Sequence, residues 1–166
     1  MKKIIAVAAA IILTTGITAF AAEKKLDNPA SQKTNYQLSF TRIVVENDID
    51  ILLVENPEKS IEFTGADADI AKVDWKIKNG ALYIKSKKGS LKGKVKLVIN
   101  VSHLKEIAVR GESEVRSEGE LNSSSLKIYL EGSCFVSVRN TGNINVVNED
   151  GTELDVHKVA GDVKFG

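Results

Sequence analysis

The chain has 166 residues, with 23 Lys and Arg against 22 Asp and Glu, a net charge of +1 and one cysteine, Cys134. So balanced a charge gives no global field to draw nucleic acid or an acidic membrane, and a single cysteine excludes an internal disulfide. Two prolines and few aromatics point to a regular aliphatic core held by packing and backbone hydrogen bonds.

Residues 1–21 are expected to be a secretory signal peptide. Lys2 and Lys3 form its positive start, residues 4–17 are apolar apart from Thr14, Thr15 and Gly16, and Ala19-x-Ala21 supplies the small residues of a cleavage site. This core is shorter than the ~20 residues of a spanning helix, and no cysteine follows it to carry a lipid, so no stable membrane span is expected after cleavage. An uncleaved anchor is the plainer alternative. Cleavage leaves about 145 residues, enough for one domain with its own core. In an oxidising compartment Cys134 is then expected as a small buried filler rather than a reactive thiol.

Residues 22–39 are polar, contain Asn28-Pro29-Ala30-Ser31 and keep no period, so a flexible leader is expected there. From residue 40 to 166 the pattern becomes one of alternation, the mark of strands with one buried face. Val45, Ile49, Ile51 and Leu53 are apolar, with Asp48 and Asp50 interleaved. A turn at Asn56-Pro57-Glu58 precedes Ile61-Glu62-Phe63, and residues 66–70 fit one helical turn. In Val73-Asp74-Trp75-Lys76-Ile77-Lys78 the odd positions are expected to face a core. Asn79-Gly80 is a hairpin signal because both residues tolerate positive φ, and Leu82 and Ile84 continue the alternation. Residues 86–94 form a Gly/Lys/Ser loop before a strand over 95–101. No segment carries a sustained helical period.

The later part repeats itself. Residues 107–115, around Gly111, align with residues 128–136, around Gly132, at an offset of 21 residues. A poorer third copy runs from Val147 through Gly151 to Leu154, at an offset of 19. Periods near 20 with strand-type alternation suit stacked turns of a β-helix, with glycine at a corner that needs positive φ. Ser113 and Cys134 then occupy equivalent places, which favours the filler role of the cysteine. The fold class expected is all-β, a right-handed β-helix-like solenoid, with a β-sandwich as alternative.

The order of these motifs carries a resemblance. Phe40-x-x-Ile43-x-Val45, Asp48-Ile49-Asp50-Ile51, Asn79-Gly80-x-Leu82-x-Ile84, Leu104-x-x-Ile107-x-Val109-x-Gly111 and the second glycine copy at Gly132 resemble the putative auto-transporter adhesin head GIN domain family, formerly a domain of unknown function. The small residue usual beside the glycine is Glu112 in the first copy. The resemblance implies a β-helix-like solenoid and adhesion, and it brings no catalytic residues. A C-terminal run of ~10-residue amphipathic strands for a membrane barrel is missing, so any adhesion is expected from a free or periplasmic module.

No set of residues argues for catalysis. His103 and His157 are far apart and lack neighbouring ligands at zinc spacing. The run Ser123-Ser124-Ser125 reads as a loop, and no G-x-S-x-G elbow is present. Asp48 and Asp50 share a strand face that suits Ca²⁺ or sugar chemistry, although a solvated face explains them more simply. Asp67/Asp69 and Glu149/Asp150 are further acidic pairs, the last inside an Asp-Gly turn signal. The lysines are the most visible charge feature: Lys76, Lys78, Lys85, Lys87, Lys88, Lys94 and Lys96, with Lys92 among them, make a face for an anionic ligand if their strands are neighbours. Alternating lysines that keep an edge soluble are the plainer reading.

The expected function is therefore a non-catalytic, exported interaction or adhesion-type module of the bacterial envelope, periplasmic, at the cell surface or secreted. Its expected partner is an envelope or extracellular polysaccharide or protein, without nucleic acid and without a cofactor. A carbohydrate-active β-helix enzyme and a purely structural envelope protein are the rivals.

Overall fold

Strand alternation places one aliphatic residue in two against a common interior, and the backbone follows that pattern nearly throughout. A computed structural model describes residues 30–34, 38–87, 89, 91–148 and 163–165. The expected signal peptide, Lys88, His157 and the Glu149/Asp150 turn lie outside them. The described strands are β1 (Ala30–Thr34), β2 (Arg42–Glu46), β3 (Ile49–Glu55), β4 (Ile61–Gly65), β5 (Val73–Lys78), β6 (Ala81–Ser86) and β7 (Val95–Val101). They continue as β8 (Glu106–Arg110), β9 (Glu114–Leu121), β10 (Ser125–Glu131), β11 (Phe135–Asn140), β12 (Asn143–Asn148) and β13 (Val163–Phe165). The expected helical turn is α1 (Asp67–Ile70).

The strands form two open sheets, one of six in the order β1-β4-β7-β3-β9-β11 and one of seven in the order β13-β12-β10-β8-β2-β6-β5. The steps β2 to β3, β6 to β7, β8 to β9 and β10 to β11 each carry the chain from the seven-stranded sheet to the six-stranded one. Most neighbours are parallel, but β1–β4, β4–β7 and β5–β6 are antiparallel. The architecture is thus all-β with mixed pairing. The expected all-β class is observed, and two open sheets enclosing one core are compatible with the sandwich alternative.

One core lies between the sheets. In the seven-stranded sheet Leu82, Ile43, Ile107, Ile128 and Val146 are cross-strand neighbours in a single inward row. In the six-stranded sheet Phe63, Leu97, Ile51, Val115 and Val136 make the facing row. All ten are buried, and each large aliphatic withdrawn from water contributes ~1.5–3 kcal/mol. Val73 is buried, and Trp75 and Ile77 pack half-buried against the core, as the alternation predicts. Trp75 meets Phe63 from the other sheet at a centroid distance of 6.4 Å.

The offset of 21 residues is the hydrogen-bond register itself: Ile107 pairs with Ile128, and Val115 with Val136. The corners align too, since Glu46, Arg110 and Glu131 are cross-strand neighbours and the residues after them, Asn47, Gly111 and Gly132, all have positive φ (62°, 82° and 89°). The Asn47 amide donates to Arg110 O at 3.0 Å, and the Gly111 amide to Glu131 O at 2.8 Å. A Cβ on Gly132 would stand 3.1–3.2 Å from the Gly111 backbone, so glycine is needed for the close approach as well as for φ. Asn47 fills the first corner, and its Nδ2 donates to Ser86 O at 3.0 Å. Cys134 is buried in the core, as expected from its equivalence with Ser113.

The third copy departs from expectation. Ile128 pairs with Val146, an offset of 18 rather than 19, so Val146 is buried while Val147 is half-exposed. The loss occurs in two places. A bulge in β9 shifts the pairing from Arg116–Ser137 to Glu120–Arg139, with Ser117 Oγ accepting from the Arg139 amide at 2.9 Å. The turn between β11 and β12 is then one residue shorter than that between β9 and β10. Gly142 makes the short turn possible, because a Cβ there would collide with the carbonyl oxygens of Ser123 and Ser124.

The N-terminal stretch 22–39 is described in part. Its residues 30–34 form β1, antiparallel to β4, and Leu38 joins the core. The physical reason is the free edge of β4, whose unpaired backbone groups take a partner strand.

Candidate recognition face

The outward side chains of the seven-stranded sheet fall into three rows, because cross-strand neighbours share a face. In the middle row Lys76 is opposite Tyr83, followed by Val44, Ala108, Tyr129 and Val147 on successive strands. Val44 and Ala108 are only 4% and 5% exposed although they point away from the core. They form a low apolar floor between two half-exposed tyrosines. The Lys76 ammonium sits 6.0 Å from the Tyr83 ring centroid.

The flanking rows are charged and paired. On one side run Asp74, Lys85, Glu46, Arg110 and Glu131. The Arg110 guanidinium spans two of these neighbours, donating to Glu46 Oε1 at 3.4 Å and lying 2.9 Å from Glu131 Oε2. On the other side Arg42 pairs with Glu106 at 2.7 Å, and Lys127 is the next cross-strand neighbour. Such exposed pairs add little to stability, but they fix where donors and acceptors stand. Two depressions open on this face. One of about 450 Å³ is bordered by Val44, Glu46, Asp74, Lys76, Tyr83 and Lys85. The other, about 380 Å³, is bordered by Arg42, Glu106, Ala108, Arg110, Tyr129 and Glu131.

The lysines expected to act together are divided between the sheets. Lys76 and Lys78 on β5 and Lys85 on β6 belong to the seven-stranded sheet, with exposed Lys87 just beyond β6. Lys96 belongs to the six-stranded sheet and is opposite Asp50, and Lys94, in the loop just before β7, has its Nζ 3.3 Å from Asp50 Oδ2. The strands over 73–86 and 95–101 are not neighbours. Carboxylates stand beside Lys85, Lys94 and Lys96, as Asp74 and Glu46 do beside Lys85 and Asp50 beside the other two.

Asp48 and Asp50 border a third depression with Glu112, Lys92 and Lys94. Asp48 lies in the positive-φ turn and accepts from the Gly89 amide at 3.4 Å. Among the described residues no three His, Cys, Asp or Glu side chains are grouped to hold a metal ion. His103 is an exposed turn residue with φ 53°. Asp69 is buried and accepts from Lys72 Nζ at 2.8 Å and from the Lys92 and Gly93 amides at 3.1 and 3.0 Å. The Lys72 hydrogen bond, then that of the Lys92 amide, hold its carboxyl below the ordinary value of 3.8. It clamps the loop 91–94 to α1 and borders none of the depressions described above. No helix of the described residues is long and apolar enough to cross a membrane.

Sequence reasoning did not single out Tyr83, Val44, Ala108, Tyr129 or Arg110. The repeat held part of the signal, since an offset of 21 sets Ala108 beside Tyr129 and Arg110 beside Glu131. That β2 and β6 complete the row depends on a strand order that no local pattern encodes.

Three comparisons bear on this arrangement. The family described as "putative auto-transporter adhesin, head GIN domain" matches residues 39–164. No curated protein matches the chain. Among solved structures, a putative adhesin from Parabacteroides distasonis is similar at a TM-score of 0.52 and 17% identity, covering 82% of this chain and 72% of that one. A putative lipid binding protein from the same organism is similar at a TM-score of 0.53 and 15% identity, covering 84% and 74%. At these identities the likeness is one of fold.

Proposed function

The chain belongs to the putative auto-transporter adhesin head GIN domain family, and from that membership we propose an exported, non-catalytic recognition module of the bacterial envelope. Its working surface is the outer face of the seven-stranded sheet. One observation carries the assignment: an apolar floor and two tyrosines are framed by two charged rows, each with ion pairs along its own length. Tyrosine and arginine on a rigid sheet make contacts at low entropic cost, as interface anchors do. Lys76, Lys78 and Lys85 border this face at its β5–β6 end rather than forming a separate anionic-ligand face with Lys94 and Lys96.

The finer parts of the proposal follow the same line. The chain winds as a right-handed β-helix-like solenoid, which the parallel register of β2, β8, β10 and β12 supports. It is exported by residues 1–21 and acts in the periplasm or at the cell surface. Catalysis is disfavoured because an acid–base pair needs titratable groups with opposed environments in one cleft. Asp69, whose carboxyl is lowered by Lys72 and the Lys92 amide, serves the loop clamp instead.

Attachment of the labelled chain to intact bacterial cells tests the surface. Arg110→Glu breaks the bridge between Glu46 and Glu131 and sets three carboxylates side by side. It is expected to weaken attachment about tenfold or more while the chain still folds, with only a small loss of stability from the opposed like charges. Attachment equal to that of the parent chain would overturn the assignment of this face.

A further inference from the structure

We infer that this face binds a neutral glycan chain laid across the strands, one sugar ring on Tyr83 and another on Tyr129. The inference rests on the recognition surface proposed above. A sugar ring has apolar C–H faces and an edge of hydroxyl groups, so its complement is an apolar platform with donors and acceptors along both sides. Tyr83, Val44, Ala108 and Tyr129 provide the platform. The Arg42–Glu106 pair on one side and the Glu46–Arg110–Glu131 bridge on the other provide the polar rims. An ion-paired guanidinium keeps unused N–H groups, and a paired carboxylate keeps unused lone pairs, so both still serve hydroxyls.

The charge pattern selects among polymers. Glu46, Asp74 and Glu131 alternate with Lys85 and Arg110 along one rim. A polyanion meets a carboxylate at every second position there, and a polycation meets a cation. An uncharged polymer meets neither penalty. An added peptide strand is disfavoured too, because that mode uses free backbone groups at a sheet edge. Between the two tyrosines lie β2 and β8, whose backbone groups are already paired on both sides.

Geometry then sets the length. Tyr83 and Tyr129 are three inter-strand steps apart, roughly 14 Å at ordinary sheet spacing. That exceeds a single sugar and matches a short run of linked ones. The small floor residues Val44 and Ala108 leave such a run lying flat between the rings, over the two adjoining depressions.

The test uses the whole chain against a β-glucan, a mannan, a xylan and, as a polyanion, polygalacturonate. At least one neutral polymer is expected to retard the chain in affinity electrophoresis, with little change on adding salt. Its hexasaccharide should shift the ring signals of both tyrosines in NMR spectra. Tyr83→Gln and Tyr129→Gln should each weaken binding about tenfold, whereas Tyr83→Phe and Tyr129→Phe retain it. If the Gln variants do not fold, the ring signals of the parent chain decide. Retardation by polygalacturonate alone, unshifted tyrosine signals, or no neutral ligand at all overturns the glycan. If Arg110→Glu still abolishes cell attachment in that case, the recognition face stands and only its ligand falls. An Arg110→Glu chain that attaches normally removes the face itself.

Discussion

The two ends of the molecule are built by different means. Around β8 to β12 the strands repeat, and successive corners stack backbone on backbone, Gly132 over Gly111. Around β4 to β6 the pairing turns antiparallel, and side chains fix the geometry: Asp69 clamps the loop 91–94, and Trp75 leans on Phe63. Where the chain repeats, stacked glycines shape one line of corners and Asn140, bonded to the Ser123 backbone, ties the next. Around β4 to β6 no corner is copied from a neighbour, and the loop 91–94 is held by Asp69.

This contrast predicts where substitution is most damaging. Gly142→Ala drives a Cβ into the Ser123 and Ser124 carbonyls and is expected to cost about 4 kcal/mol in urea unfolding. Gly132→Ala, strained in φ and crowded by Gly111, should cost about 3 kcal/mol, whereas Gly80→Ala, equally positive in φ but in open space, should cost only about 1 kcal/mol. Equal losses at Gly132 and Gly80 would mean that the stacked backbones contribute nothing beyond strain.

The second prediction concerns the clamp. Folding lowers the carboxyl of Asp69, so the stabilisation it gives is complete above the pH at which an unfolded aspartate ionises. It is lost as pH falls through the lower, folded value. Protection of the Lys92 and Gly93 amides, taken relative to the intrinsic exchange rate at each pH, should therefore fall at acid pH in the parent chain. In Asp69→Asn it should be low already at neutral pH and vary less with acid. The same pH dependence in both chains would show that the loop is held by something else.

The smallest effect has the opposite sign. Ser113 is 1% exposed, and its Oγ finds no hydrogen-bond partner among the described residues. Ser113→Ala removes an unsatisfied buried hydroxyl from the repeat and should stabilise the chain by about 1 kcal/mol, read as a higher thermal midpoint. A fall in that midpoint would reveal a role for the hydroxyl.

The sequence made the strands legible because alternation and burial are one property, as Ile49, Ile51 and Leu53 show. The Asn79-Gly80 hairpin was legible from φ tolerance alone. The 21-residue register was legible because identical corners recur. The 18-residue offset was not, since a bulge near Gly119 and a two-residue turn at Gly142 alter spacing without disturbing the hydrophobic pattern. Nor was the separation of Lys85 from Lys96: adjacency in the chain says nothing about which sheet the next strand joins. Tyr83 and Val44 became neighbours only through that same non-local choice.

The row Tyr83, Val44, Ala108, Tyr129 crosses the strands, so each of its seats comes from a separate stretch of chain. Tyr83 lies between Leu82 and Ile84, Ala108 between Ile107 and Val109, and Tyr129 between Ile128 and Leu130, all of them inward and buried. Every seat therefore carries its own foundations. A mutation that swaps one outward residue leaves the packing beneath and the seats on either side as they were. Such a surface can be rewritten one letter at a time, and relatives sharing this scaffold are free to diverge in what they hold without relearning how to fold.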